Sequence, residues 1–276
     1  MLVIKDQCII FVGNMNINNN YTWENCLNKH IASFVSTKEN FYNSARGVNW
    51  LKKQQYISKN DNYICNGEYI YEDIEQVKKF KDKKILIVGG GPTAKEYNWD
   101  ANNYDYIFSL HNFYQSDKLK KVNINLFLVG NQTDALGLEF LNYCENTNSI
   151  IVMEDLEHKP KVVKTLQEKF FNRILLCSCR AQFKSLGAAP KLVILALSFG
   201  SKQVDCIGID GVPKNFNIKK TPYLHAFDNT GWDKPYPHES FVNHFRHFDS
   251  YIKETFPNQI VNNLGAGHEF NCWSKI

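Results

Sequence analysis

The sequence predicts an α/β fold in which a mostly parallel sheet carries helices on both faces. From residue 83 onward, short apolar segments alternate with helical segments, a pattern typical of parallel sheets. The 276 residues are 43% hydrophobic and 22% charged, which is ordinary for a globular chain that buries a core. This length suits one large α/β domain together with an extension.

The strands of this region are predicted from short apolar runs and the helices from apolar residues at helical spacing. The predicted strands cover residues 85–88, 104–110, 125–129, 149–153, 173–178, 204–209 and 259–264. The predicted helices cover residues 134–143, 161–170, 188–199 and 239–254. The helix at 188–199 is almost wholly apolar, so we expect it to pack against the sheet.

Residues 1–82 do not show this alternation and are predicted to form a mixed N-terminal extension packed on the main domain, which spans residues 83–276. Within the extension, residues 8–12 resemble a strand. Candidate helices cover residues 23–34, 42–53 and 73–81.

A glycine-rich turn follows the first strand of the main domain. It consists of Gly89, Gly90 and Gly91, then Pro92 and Thr93. Glycine lets the backbone turn sharply and approach a ligand, and proline fits the first turn of a helix. The turn therefore predicts a site for a nucleotide phosphate or ribose at a helix N-terminus. A plain tight turn between strand and helix is the alternative.

The turn does not fully match the common nucleotide motifs. Gly89, Gly91 and Ala94 have the spacing of a dinucleotide fingerprint, but no acidic residue ends the second strand. A Walker-type loop would need Gly-Lys-Ser/Thr, which is absent from this turn.

Polar residues stand at the ends of successive predicted strands. They are His111, Asn112, Asn131 and Asp210. Ligands of open α/β sheets bind outside the carboxyl ends of the strands, and Asn can donate to and accept from base edges and ribose hydroxyls. These residues predict a small-molecule cleft, although Asn is also common in loops. Asp210 could orient a sugar hydroxyl or cap a loop.

His238 starts the last predicted helix, after Pro237. A helix N-terminus favours neutral imidazole, so this residue is a candidate base for a hydroxyl group near neutral pH. Tyr223 could stabilise a leaving phosphate through its hydroxyl. The alternatives are a metal site that combines His238 with His244, His247 and Asp249, and solvated histidines on a polar helix.

The net charge of +4 is spread along the chain, so nucleic-acid binding is not indicated. A mild basic balance suits an anionic substrate or membrane surface. None of the eight cysteines forms a Cys-x-x-Cys pair, which predicts reduced thiols and no zinc site. We therefore expect a cytoplasmic protein. The sequence leaves open whether it associates peripherally with the inner face of the membrane and whether it forms homo-oligomers.

The order of these motifs resembles bacterial lipooligosaccharide sialyltransferases. The resemblance rests on residues 84–93, on Tyr106, Ile107 and Phe108 followed by 112–114, on 198–210, and on Tyr223, Ala226, Phe227 and Asp228 before His238. The ending, residues 263–268 and 273–276, is similar to motility-accessory glycosyltransferases and pterin-pyrophosphokinase-like proteins. The resemblance covers roughly residues 83–276.

This resemblance implies a Rossmann-like domain with a small lid near residues 212–237. It also implies metal-independent transfer of a sugar to a cell-surface glycan, as in lipooligosaccharide or capsule biosynthesis. His238 would be the general base and Tyr223 a phosphate-stabilising hydroxyl. The nucleotide sugar would be a co-substrate, with no further cofactor.

The chain departs from the family pattern at Gly90, at residues 187–189 and at Val212. The family's Asn residues after the second and third strands are displaced here, to His111 or Asn112 and to Gly130 or Asn131. The expected donor is therefore a nucleotide-linked sugar, with CMP-linked sugars among the options.

Two other functions stay open. An ATP-dependent pyrophosphokinase would need Mg²⁺, for which Asp210, Asp228 and Asp233 are candidate ligands. A non-catalytic relative that binds a nucleotide or a glycan would explain the departures from the family pattern.

Overall fold

The computed structural model describes residues 2–5, 8–11, 63–64, 75–110, 112–130, 135–154, 160–170, 173–177, 186–212, 214, 226–227 and 238–276. Its main feature is an eight-stranded sheet in which every pair of neighbours is parallel. The predicted α/β, Rossmann-like fold is therefore confirmed.

The strands of the main sheet follow the apolar segments of the sequence. They are β3 (Tyr63–Ile64), β4 (Lys84–Val88), β5 (Tyr106–Leu110), β6 (Leu126–Val129), β7 (Ile150–Glu154), β8 (Ile174–Cys177), β9 (Gln203–Ile207) and β10 (Ile260–Asn263). Two further strands, β1 (Leu2–Lys5) and β2 (Cys8–Phe11), pair antiparallel with each other.

The order of the strands in the sheet is β10-β9-β4-β5-β6-β7-β8-β3. The chain runs outward in one direction from β4 to β8 and then returns to the other side of β4 to form β9. The direction of winding therefore changes between β4 and β9. In open α/β sheets this is the point where the loops at the carboxyl ends of the strands form a ligand-binding crevice.

The α-helices of the described residues are α1 (Glu75–Lys78), α2 (Thr93–Glu96), α3 (Leu138–Asn146), α4 (Pro160–Phe170), α5 (Ala189–Ser198) and α6 (His238–Thr255). As expected from its composition, α5 is buried from Ala189 to Leu197, and it packs on β4, β5 and β9. None of the helices that the structure describes combines the length and the apolar character needed to cross a bilayer.

Two predicted elements of the main domain start two or more residues later in the structure. The predicted helix at 134–143 begins only at Leu138, because Gly137 adopts an extended conformation at the N-cap (φ −68°, ψ 147°). The predicted strand at 104–110 begins at Tyr106, because Tyr104 closes a 3₁₀ turn at Ala101–Asn103. Glycine is a poor helix former, which explains the first difference.

Part of the predicted N-terminal extension contributes to the sheet and its core. Strand β3 pairs with β8, and Val77 and Phe80 are buried in the hydrophobic core. The predicted helices at 23–34 and 42–53 lie outside the described residues. The domain boundary at residue 82 stays a prediction.

Phe80 is fully buried in an aromatic cluster, and its replacement tests this core. Its ring lies edge-on to Tyr106 and Phe108 at 4.9 and 4.8 Å, and it stacks on Phe199 at 5.8 Å. We expect Phe80→Ala to lower the free energy of unfolding by about 3–5 kcal/mol, because it leaves a cavity. Urea denaturation measures this effect.

The matched control is Leu138→Ala, because the Leu138 side chain is 80% exposed. It should change the free energy of unfolding by no more than about 0.5 kcal/mol. Equal effects of the two substitutions would contradict the position of Phe80 in the core.

Candidate functional site

The glycine turn after β4 lies against the loop that follows β9. The Gly89 N–H donates to the Ile207 carbonyl at 2.7 Å, and the Gly91 N–H donates to the Gly208 carbonyl at 2.8 Å. Backbone N–H groups that the sequence suggested for a phosphate are therefore bonded within the protein. The two loops form one hydrogen-bonded unit at the switch point of the sheet.

Close packing between these loops explains the glycines. A Cβ atom at Gly89 would lie 2.4 Å from the Gly208 oxygen, and a Cβ at Gly91 would lie 2.3 Å from Oδ2 of Asp210. Atoms at these distances overlap, so a side chain at either position would push the two loops apart. The glycines are thus required by the contact between the loops, whether or not a ligand binds.

Asp210 is the centre of this unit. Only 3% of the residue is exposed. Its Oδ2 accepts a hydrogen bond from the Thr93 N–H at 3.0 Å, and the Thr93 hydroxyl lies 2.8 and 2.9 Å from the two carboxylate oxygens. Asn271 donates its amide to Oδ1 at 3.0 Å. A buried carboxylate is stable only with such partners.

The Thr93 hydroxyl closes the network from the other side. It donates to Asp210 and accepts a hydrogen bond from the Gly208 N–H at 2.9 Å. Thr93 itself is fully buried. The hydroxyl therefore uses both its donor and an acceptor lone pair inside the protein.

This geometry matches the structural alternatives that the sequence left open, a tight turn and a loop cap. Pro92 occupies the N-cap position of α2, and α2 has only four residues. Gly90 is also buried, and its carbonyl accepts a hydrogen bond from the Ala226 N–H at 2.8 Å. Contacts of residues 89–93 and of Asp210 with a ligand stay predictions.

His238 is the first residue of the 18-residue helix α6 and is half-buried. Its Nδ1 atom lies 2.7 Å from the Val212 carbonyl oxygen. Since a carbonyl can only accept, Nδ1 carries the hydrogen of this bond. In the neutral ring this places the lone pair on Nε2.

The C-terminal segment, residues 264–276 after β10, also contacts the Val212 carbonyl. Cys272 Sγ donates to the Val212 carbonyl at 3.1 Å and lies 3.5 Å from His238 Nδ1. Burial raises the pKa of the Cys272 thiol to about 11, so it is a neutral packing group near neutral pH. A Cβ at Gly211 would lie 2.6 Å from this sulfur, which explains the glycine beside Val212.

The glycine turn and His238 are therefore linked through the loop after β9. Asp210 binds the turn, and Val212, two residues later, binds the imidazole. The sequence singled out both features, and the structure brings their supporting residues together at the carboxyl edge of the sheet.

The structure gives less information on the other predicted site residues. His111, Asn131 and Tyr223 lie outside the described residues, as do most residues of the predicted lid at 212–237. Asn112 is half-buried at the start of the 3₁₀ turn Phe113–Gln115. Their contacts with a donor stay predictions.

The metal alternative on α6 has no support in the part of the chain that the structure describes. No group of three or more His, Cys, Asp or Glu residues there is arranged to hold a metal ion. His244 Nδ1 lies 2.6 Å from the Ser240 carbonyl oxygen, and Asp249 pairs with Lys253 at 2.5 Å.

Sequence reasoning missed Asn271 and Asn263 as parts of the network. Oδ1 of Asn271 accepts a hydrogen bond from the Asn263 side-chain amide at 2.9 Å, while the Asn271 side-chain amide donates to Asp210. Each is a single Asn in a chain rich in Asn, with no spacing that links it to Asp210. Asn263 belongs to the C-terminal motif, and Asn271 lies between the two parts of that motif; this was the only signal in the sequence.

A cavity of about 360 Å³ lies beside this unit, at the same edge of the sheet. It is bounded by the end of β4, by α2, by the segment after β5 and by Ala226 and Phe227. Neither the glycines of the turn nor His238 line it.

No protein-family model matches the chain, and no curated protein matches it significantly. The solved structures similar to it include two of the sialyltransferase CstII from Campylobacter jejuni. The structure with the substrate analogue CMP-3FNeuAc has 16% identity and a TM-score of 0.41, over 66% of this chain and 79% of that chain. The structure with cytidine-5'-monophosphate has 17% identity and a TM-score of 0.45, over 67% and 80%.

Replacement of Thr93 tests the network around Asp210. We expect Thr93→Val to lower the free energy of unfolding by about 1–3 kcal/mol, because it removes a buried hydroxyl that serves Asp210 and Gly208. Thr93→Ser keeps the hydroxyl and is the matched control, with a smaller loss. Urea denaturation of both variants measures the difference, and equal losses would mean that the hydroxyl does not stabilise the fold.

The pH dependence of stability tests the burial of Asp210. Burial raises the pKa of this carboxyl above its ordinary value of 3.8, and hydrogen bonds from Thr93 and Asn271 oppose the rise. At pH values between 3.8 and the raised pKa, Asp210 is protonated in the folded protein and ionised in the unfolded chain. The contribution of this group to stability is therefore greatest below pH 3.8 and falls as pH rises through the raised pKa.

We expect the free energy of unfolding to fall less steeply above pH 4 in Asp210→Asn than in the unaltered protein, although the variant is less stable overall. Urea denaturation between pH 4 and pH 7 measures both slopes. Identical slopes would show that the pKa of Asp210 is not raised in the folded state.

Proposed function

We propose that the chain is a glycosyltransferase that moves a sugar from a nucleotide-sugar donor to a cell-surface glycan, with His238 as the general base. The observation that carries this proposal is the position of the His238 imidazole. It stands at the start of α6, is half-buried, and is held by the Val212 carbonyl through Nδ1.

A general base needs a lone pair aimed at the proton that it removes. The bond from Nδ1 to Val212 keeps the hydrogen of the neutral ring on that nitrogen, so Nε2 is the basic atom. The same carbonyl fixes the orientation of the ring.

The position of His238 relative to the sheet also supports the proposal. The loop that holds it follows β9, at the point where the winding of the sheet changes direction. Substrates of open α/β sheets bind at this edge. A base at the edge is therefore close to the expected place of a nucleotide-linked substrate.

In the proposed reaction, Nε2 of His238 takes the proton of an acceptor hydroxyl. The acceptor oxygen forms a bond to the anomeric carbon of the donor sugar. The bond between that carbon and the phosphate oxygen breaks, and the nucleotide leaves with the electron pair. The Tyr223 hydroxyl is proposed to donate to the leaving phosphate, as the sequence resemblance implies.

The donor is proposed to be bound by the polar residues that follow the strands. Asn112, with His111 and Asn131, would contact its base or ribose, and the glycine turn would support its phosphate from behind. The resemblance of the sequence to lipooligosaccharide sialyltransferases supports this assignment and the choice of a glycan acceptor. The reaction is proposed to need no metal ion.

Replacement of His238 tests the catalytic role. We expect His238→Ala to lower kcat by about 10²–10⁴-fold while nucleotide affinity stays nearly unchanged. The matched control is His247→Ala, an exposed histidine on the same helix, which should keep full activity. Release of nucleotide from a panel of CMP-, UDP-, GDP- and ADP-linked sugars, with glycan acceptors, measures turnover.

An unaltered rate in His238→Ala would remove the proposed base. Activity lost on chelation and restored by Mg²⁺ would favour the pyrophosphokinase alternative. Binding of a nucleotide sugar without turnover under any of these conditions would favour a non-catalytic binding protein.

A further inference from the structure

We propose that the cavity beside the glycine turn binds a small anionic sugar, either the acidic end of a glycan or a free sugar phosphate. The cavity has a volume of about 360 Å³, which falls in the range of small-molecule sites. Lys95, Trp99 and Lys118 line it, together with Gln115, Ser116 and Phe227. This binding is separate from the proposed transfer and does not depend on it.

The charge of the cavity points to an anion. Among the described residues, neither Lys95 nor Lys118 has a carboxylate within 4.0 Å. Asp117 also lines the cavity, but its carboxylate pairs with Lys120. Two ammonium groups therefore remain available for a carboxylate or phosphate of a ligand.

Lys118 is held in a position that suits this role. Its Nζ atom lies 4.0 Å from the centre of the Trp99 ring. An aromatic face attracts a cation, but it cannot neutralise the charge. Burial lowers the pKa of Lys118, as expected for an ammonium group that has lost part of its water. A bound anion would restore a partner to this group.

Trp99 is itself fixed. Its Nε1–H donates to the Ala94 carbonyl at 2.9 Å, and only 9% of the residue is exposed. The indole therefore keeps its orientation without a ligand. A preformed wall lowers the entropic cost of binding.

The remaining walls fit a sugar ring better than a bare inorganic anion. Gln115 and Ser116 offer groups that can hydrogen-bond to hydroxyls. Leu119, Ala226 and Phe227 offer apolar surface for the C–H faces of a ring. Inorganic phosphate would leave most of this surface unused.

A ligand in the cavity would also affect the glycine turn. Ala226, which lines the cavity, donates its N–H to the Gly90 carbonyl at 2.8 Å. A ligand that contacts Ala226 and Phe227 is therefore connected to the glycine turn through this single hydrogen bond.

Binding to the full chain tests the proposal, without any nucleotide donor present. Isothermal titration calorimetry at pH 7 would use glucuronic acid, glucose 1-phosphate and neutral glucose. We expect at least one anionic sugar to bind about tenfold or more tightly than glucose, because a charged hydrogen bond is stronger than a neutral one. A disaccharide that ends in glucuronic acid distinguishes a glycan end from a free sugar phosphate as the natural ligand. If it binds as tightly as glucuronic acid, the ligand is a glycan end. If glucose 1-phosphate binds more tightly than both, the ligand is a free sugar phosphate.

The variants Lys118→Gln and Lys95→Gln should each weaken this binding by about tenfold. Lys121→Gln is the matched control, because Lys121 is exposed on the same 3₁₀ turn as Leu119 and does not line the cavity. It should bind as the unaltered protein does. The proposal is overturned if no anionic sugar binds more tightly than glucose, or if all three variants bind equally well. Since no donor is used, either result leaves the proposed transferase activity untouched.

Discussion

The candidate site depends on one buried carboxylate. Asp210 binds the backbone and the hydroxyl of Thr93 on one side and the Asn271 amide on the other. It thereby joins the turn after β4, the loop after β9 and the C-terminal segment at a single point. Burial raises the pKa of Asp210, so desolvation outweighs the stabilisation of its charged form by these hydrogen bonds. A group held at this cost specifies the relative position of three segments that are distant in sequence.

The position of His238 follows from that junction. The loop continues from Asp210 to Val212, whose carbonyl accepts from His238 Nδ1, and the Cys272 N–H donates to the Asp210 carbonyl at 2.9 Å. Trp273, the next residue, stacks on Phe245 of α6 at 5.8 Å with the rings nearly parallel. The helix that carries the proposed base is therefore fixed at its start by Val212 and along its length by the C-terminal segment. A base that must reach one proton needs such rigid support.

The sequence predicted the sheet well, because buried parallel strands appear as apolar runs such as the one at Lys84–Val88. It also singled out Asp210 and His238, because each follows or begins a recognisable element, and their contacts with a ligand stay predictions. It could not identify Asn271 or Cys272, since their roles arise only when the C-terminal segment folds back on the loop after β9. The length of α2 was equally hidden: Tyr97 takes an extended conformation (φ −85°, ψ 145°) that ends the helix after one turn. The helix dipole expected behind the glycine turn is correspondingly small, because few peptide groups are aligned.

The sequence analysis assigned two tasks to the glycine turn, a sharp bend of the backbone and the binding of an anion. The structure separates these two tasks. The N–H groups of Gly89, Gly91 and Thr93 bond within the protein, and a single helical turn adds little positive potential. An anionic ligand at this edge therefore needs charge from side chains. Lys95 and Lys118 supply such charge at the cavity beside the turn, and Trp99 holds Lys118 in place. The glycine turn then acts as the rigid frame between the proposed base and a basic cavity, and the hydrogen bond from Ala226 to Gly90 connects the cavity wall to that frame.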